Sequence, residues 1–365
     1  MITADRKQRL VDAMNEQNLD LLVAYGNAWQ GDYMRYVADF GLLEGQGIAV
    51  ARRDGEITLY LDSPLEADRA RVESPDLRII HAPNLIADVE ALMERAGNAR
   101  VGAGPSNLLP RRLAARKKDL RLSDATAFID ILLMNKLASE VEAVRHACRF
   151  ADEGYAVFRD AARVGRADYE LIAEIEAFYR LQGVDDNFMI IGVGGPEVRG
   201  MAPPSGKRLK KGDLVTTELT PCVNGYYAQI CRTLVLGEPN DAQRTAFGIY
   251  KEAMEAGIAA VKSGVLSSEV ARAENEVFRR HDLGIYVTNE YTRVRGHGVG
   301  LFADTKPQIL EDIHIRLEPG MTLIVHPNTY NPHVGYMVLG DVVAVTPAGH
   351  DLFTGTPREL FSVPA

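Results

Sequence analysis

The sequence predicts a two-domain α/β (α+β) protein, and three observations carry that prediction. The chain has 365 residues, more than one hydrophobic core ordinarily spans. Its N-terminal third alternates short apolar runs with amphipathic helical stretches, the pattern of an α/β domain. From about residue 129 the texture changes to long amphipathic helices followed by β-rich hairpin segments. The domains are therefore expected at 1–128 and 129–365.

Taken in order, residues 5–18 read as an amphipathic helix and "LDLLVAY" (19–25) as a buried strand. "GIAVAR" (47–52) and "EITLYLD" (56–62) read as two strands paired across the turn "RDGE". A helical stretch at 63–73, the strand "LRIIHA", a helix near 84–96 and the strand "ARVGAG" complete the first domain. A long helix opens the second, with Ser139 and Glu142 as its capping box, and another spans 167–182. A loop rich in proline and glycine (195–206) precedes "KKGDLVTTELTPCVNGYYAQICRTLVLG", which reads as two strands around "PCVNG". Helices at 240–262 and 267–283 follow, then the glycine-bracketed "GHGVGLFADTKPQ" (296–308). "LEPGMTLIVHPNTY" and "GYMVLGDVVAVT" read as closing strands.

Composition excludes several functions. The hydrophobic fraction is 46%, the charged fraction 25% and the net charge -9. That balance argues against nucleic acid and against an anionic membrane surface as partners. The basic run at 110–118 reads as a solvated helix face. No apolar run approaches the ~18 residues of a membrane span. Three cysteines in a sparse set give no disulfide framework and suit a reducing compartment, so a cytoplasmic location is expected. The N-terminus is charged from its fifth residue on, which does not read as a signal peptide.

Several blocks in fixed order resemble the pita-bread family of creatinase, aminopeptidase P, prolidase and methionine aminopeptidase. They are "LDLLVAYGNAWQGDYMRYVADF", "MNKLASEVEAVRHACRFAD", "LKKGDLV…NGYYAQICRTLVLG", "GHGVGL", "LEPGMTLIVHP" and "GDVVAVTPAG". The resemblance covers nearly the whole chain. It implies a creatinase-like N-terminal α/β domain followed by a pita-bread catalytic domain. It also implies a homodimer, in which residues 27–36 of one subunit lie near the partner's site.

Metal-dependent members hold two ions with two aspartates, a histidine and two glutamates, since hard divalent ions favour bridging carboxylate oxygens. Carried over position by position, the first aspartate is Glu218 and the second Gln229. The histidine is retained as His297, whereas the glutamates are His326 and Gly340. The family's second histidine is Asp304, and the substrate-loop histidine that creatinase uses for acid–base work is Met201. One of five ligands remains.

The resemblance therefore implies a pocket of His297, His326 and Glu218 as catalytic candidates, with Gln229, Cys231, Asp304 and Met201 against the substrate. Because side chains alternate along a strand, Cys231 and Thr233 are expected on the same face as Gln229. The structural alternatives are an edge-strand glutamate, backbone-satisfied core histidines and a small buried thiol. Lys306 and Arg293 flank the motif, either solvated or holding an anion.

Three functions follow. The first is a hydrolase without metal or other cofactor that cleaves a C–N bond in a small amide, amidine or cyclic imino-acid-like compound. In it Glu218 or a histidine activates water and the other histidine protonates the leaving nitrogen. The second is an Xaa-Pro peptidase-like enzyme with one divalent metal ion on Glu218, His297 and His326. The third is a non-catalytic binding module. The expected partner is a small-molecule or short-peptide substrate.

Overall fold

The computed structural model describes residues 3–116, 118, 119 and 121–364. Met1, Ile2 and Lys117, parts of the N-terminal stretch and the basic run, lie outside these. The chain divides into two compact units, Met1–Leu133 and Met134–Ala365.

In the first unit a six-stranded sheet runs in the order Arg78–His81, Ile57–Leu61, Gln46–Arg52, Leu21–Asn27, Val101–Gly104, Leu122–Asp124. Leu21–Asn27 lies inside the sheet and is buried along almost all its length, as its uninterrupted apolar run requires. The "RDGE" turn closes through Arg52 N–H to Glu56 C=O at 2.8 Å, with Gly55 at φ +87. The helix Leu85–Arg95 buries Leu85, Val89 and Met93, one apolar stripe at helical spacing.

The second unit carries four long helices: Ala138–Ala161, Asp168–Leu181, Asp241–Ala260 and Ser267–Arg280. Two sheets lie among them. One follows the order Phe361–Val363, Ile230–Leu236, Leu214–Val223, Asp186–Gly194, and the other Gly296–Gly298, Thr322–Val325, Asp341–Thr346, Gly349–Leu352. The core packs Tyr250, Met254 and Phe278 from the helices against Leu323, Val325 and Val343 from the second sheet. The expected hairpin is present: Asn224 and Gly225 both take positive φ (49 and 79) between Leu214–Val223 and the returning strand. That Asn-Gly pair matches the right-handed twist of the paired strands.

Three readings are corrected. The long helix is two, Thr126–Met134 and Ala138–Ala161. Its capping carboxylate is Glu140, which accepts Leu137 N–H at 2.9 Å, because Leu137 rather than Ser139 is the residue before the first turn. Glu142 pairs with Arg145 instead. The two closing segments are each broken, into Thr322–Val325 and Thr329–Asn331, and Gly335–Met337 and Asp341–Thr346. Each break falls where the chain leaves one sheet for a short separate hairpin.

The two sheets meet at an isolated bridge between Cys231 and Gly340. Beside it Arg232 and Asp341, both fully buried, form an ion pair at 2.6 Å. The Arg232 guanidinium also donates to the carbonyls of Gly340 (2.7 Å) and Thr356 (2.6 Å). Asp341 accepts further from Thr354 (2.8 Å) and Arg358 (2.7 Å). Removing one partner would leave an uncompensated charge in a dry interior. Asp341→Ala should accordingly cost about 3–5 kcal/mol in chemical denaturation; a loss within experimental error would show the pair is not desolvated.

Candidate active site

The glycine bracket has a steric cause. Gly296–Gly298 pairs antiparallel with Thr322–Val325, placing His297 opposite Ile324. A Cβ at Gly296 (φ +141) would strike the Ile324 carbonyl, and one at Gly298 the Lys306 carbonyl. His297 is thus held on a strand pressed between two backbones. Its Nδ1 lies 3.0 Å from the Gly298 carbonyl and 3.6 Å from Asp304. A carbonyl only accepts, so Nδ1 carries the proton and Nε2 keeps its lone pair in the neutral ring.

His326 follows the neighbouring strand directly, its N–H bonded to the Arg295 carbonyl at 3.0 Å. The two imidazoles stand edge to face with centroids 5.5 Å apart. His326 is buried and its Nδ1 has no hydrogen-bond partner. Burial, then the neighbouring His297 and Arg295, holds its imidazole well below the usual range.

Glu218 stands directly across the hairpin from Cys231, with Cys231 Sγ 3.7 Å from its carboxylate. Burial raises the Glu218 carboxyl, against the lowering effect of His297. Cys231 is fully buried and receives the amides of Gln229 at 3.8 Å and Asn328 at 3.5 Å. Burial, reinforced by Glu218, nonetheless pushes its thiol far up, so it rests as a neutral SH. Met201 packs with Tyr330, Tyr336 and Val338 on the apolar side of Cys231.

Not every expected residue joins this group. The Thr233 hydroxyl is engaged by backbone: it both donates to the Val338 carbonyl (2.8 Å) and accepts the Val338 N–H (3.0 Å). The alternation rule holds, but a backbone passing within hydrogen-bond reach captures the side chain. Arg293 is committed to Asp312 through a two-pronged contact at 2.9 and 2.8 Å. Two contributors went unread. Asn328 donates to Cys231 and accepts Leu339 N–H at 3.1 Å. Arg295, fully buried, donates to the Asn328 carbonyl at 2.9 Å. An asparagine after proline reads as a turn, and an arginine before the glycine motif reads as surface, so neither carries a local signal.

Gly340, the position that the resemblance gives to the last glutamate, is closely enclosed. A Cβ there would lie 2.9 Å from His326 Cβ and 3.0 Å from both Cys231 Cβ and Sγ. Any side chain at residue 340 would therefore press on the Cys231 thiol and on the Cβ of His326. Among the described residues, no group of three or more His, Cys, Asp and Glu side chains is arranged to hold a metal ion.

Residues 142–347 match the model of metallopeptidase family M24, and residues 6–134 that of the creatinase/prolidase N-terminal domain. The chain belongs to metallopeptidase family M24. The expected pita-bread architecture and its creatinase-type N-terminal domain are thereby established, as is the expectation of an enzyme of hydrolase type acting on C–N bonds. The Xaa-Pro dipeptidase of Pyrococcus furiosus is 30% identical over 229 residues, 62% of this chain and 64% of that protein. The Xaa-Pro dipeptidase of Pyrococcus horikoshii is 24% identical across 98% of this chain and 99% of its own. Among solved structures, the Pyrococcus furiosus prolidase superposes with a TM-score of 0.80 at 27% identity, covering 95% of this chain and 100% of that one. The X-Pro aminopeptidase of Thermotoga maritima reaches 0.85 at 20% identity over 98% and 99%, a likeness of fold. No described helix is long and apolar enough to cross a membrane.

Two measurements test the site's packing and electrostatics. Gly340→Ala should overpack the Cys231–His326 contact and lower stability by about 1–3 kcal/mol; an unchanged melting temperature would show the space is open. For His326, the unfolded imidazole takes a proton below pH 6.5 while the folded one stays neutral. Its contribution to stability is complete above that pH and lost as the pH falls below it. Glu218 acts in the opposite sense: its contribution is complete below 4.5 and lost as the pH rises through its elevated folded value. His326→Gln should therefore flatten the acid limb of the stability–pH curve below pH 6.5. Parallel curves for variant and parent would refute a buried neutral His326.

Proposed function

We propose that this M24 chain is a hydrolase of C–N bonds that works without a dinuclear metal centre, on a small amide, an amidine or an Xaa-Pro-like dipeptide. The observation that carries the reading is the space beside Gly340, filled by Cys231 and His326 where a bridging carboxylate would stand. Gln229 adds a neutral amide at the other bridging position, so the donors suit hydrogen bonding better than a pair of hard cations. The relatives' names, Xaa-Pro dipeptidase and prolidase, support a substrate of dipeptide size.

In this reading His297 Nε2 takes a proton from water as its oxygen attacks the carbonyl or amidine carbon. The positive charge that forms on the ring has Asp304 3.6 Å from Nδ1. Glu218, whose carboxyl burial shifts towards its protonated form, serves as the acid and gives a proton to the leaving nitrogen as the C–N bond breaks. The proton gained by His297 then returns to Glu218 through product or solvent, restoring both groups. His326 stays neutral and offers its unpartnered Nδ1 to the substrate. Gln229 and Cys231 define the polar and apolar edges of the same wall.

The competing reading keeps one divalent ion on Glu218, His297 and His326, and draws on the metal dependence that the family description implies. One assay separates the two. Turnover of a panel of Xaa-Pro dipeptides, small amides and amidines should survive EDTA, and should fall by about 10²–10⁴-fold in His297→Ala and in Glu218→Gln. Activity that stops with EDTA and returns with Zn²⁺ or Mn²⁺ would establish the metal reading instead.

A further inference from the structure

The first unit contains a second concave site, of about 500 Å³, between one face of the sheet and the helix Leu85–Arg95. Strand geometry explains its composition. Thr58 pairs with Arg78 on one side and Val50 on the other, and Tyr60 pairs with Ile80, so these side chains line one face of the sheet in two cross-strand rows. Arg52 lies two residues from Val50 and adds a second guanidinium to that face. The helix contributes Arg95 and Leu92 from across the cleft.

Three arginines thus surround one hollow, in a chain whose net charge is -9. Their mutual repulsion is only thinly relieved. Arg52 and Arg78 share a single carboxylate, Glu56, each at a loose 3.6 Å. Arg95 has no ion pair among the described residues, and Asp88 is the one acid on the cleft wall. The other face of the same region is different: Arg112 is held by Glu90 at 2.6 Å and Arg116 by Glu94 at 2.7 Å. Tyr60 shares the cleft wall with Arg52, Arg78 and Arg95. Below them Ile80, Leu92 and the ring of Tyr60 form an apolar floor.

We propose that this cleft binds a small organic anion, a phosphate or carboxylate carried on an apolar or aromatic body. The guanidinium forks match either oxyanion, the floor takes the body, and the volume suits a ligand of nucleotide size. The site lies wholly within the first unit and is independent of the catalytic reading above.

Isothermal titration of the full-length protein at low ionic strength tests it with four probes. AMP carries the phosphate arm and phenylacetate the carboxylate arm, with inorganic phosphate as anion alone and adenosine as body alone. At least one organic anion should bind about tenfold or more tighter than both controls, and weaken as salt is raised. The doubly substituted Arg78→Gln, Arg95→Gln protein should lose that binding by about tenfold or more, whereas Arg111→Gln with Lys118→Gln, which removes equal charge elsewhere in the unit, should not. Both variants alter exposed side chains, and circular dichroism checks that they fold. Equal binding of the organic anions and inorganic phosphate, no binding by any probe, or binding kept in the cleft variant would each overturn the proposal.

Discussion

The second unit depends on the buried contact between Arg232 and Asp341. Two fully desolvated charges are tolerable only when each is paired and its remaining hydrogen-bonding capacity is used. Here the guanidinium reaches the Asp341 carboxylate and the carbonyls of Gly340 and Thr356, while Asp341 also accepts from Thr354 and Arg358. The pair joins two sheets that share no continuous ladder, at the single bridge where Cys231 meets Gly340. Several residues of the candidate active site lie on the strands that meet there. Glu218 is placed by its register with Cys231, and His326 by the strand paired with Asp341–Thr346.

Close approach at this junction also decides the chemistry. With the sheets held so near, residue 340 has no room for a side chain beside Cys231 and His326. Gln229, Cys231, His297 and His326 around it are all buried from water. Dryness works on each ionisable group in the expected direction: it raises Glu218, lowers His326 and keeps Cys231 a thiol. Burial thus favours the uncharged form of each group, the protonated carboxyl at Glu218 and the neutral imidazole at His326.

The legible part of the site was local. His297 announced itself because two glycines beside a histidine imply a backbone pressed against others, and the carbonyls of Ile324 and Lys306 supply the reason. Strand alternation puts Cys231 on the face of Gln229, and the cross-strand register sets Glu218 opposite Cys231. The same alternation puts Thr233 on that face too, where the Val338 backbone binds its hydroxyl. Asn328 and Arg295 left no trace, since a buried amide or guanidinium is defined by partners distant in the chain.

By itself the sequence determined the two-part α/β architecture, the Asn-Gly hairpin and the order of motifs that marks the family. These follow from apolar periodicity, turn chemistry and motif order, all short-range properties. Only the tertiary structure decided that Gly340 is pressed against Cys231 and His326, that Asn328 donates to Cys231 while the Thr233 hydroxyl binds the Val338 backbone, and that three arginines of the first unit line one cleft. Those outcomes depend on which strands meet and how closely, and sheet-to-sheet distance is set by long-range packing that no local pattern encodes.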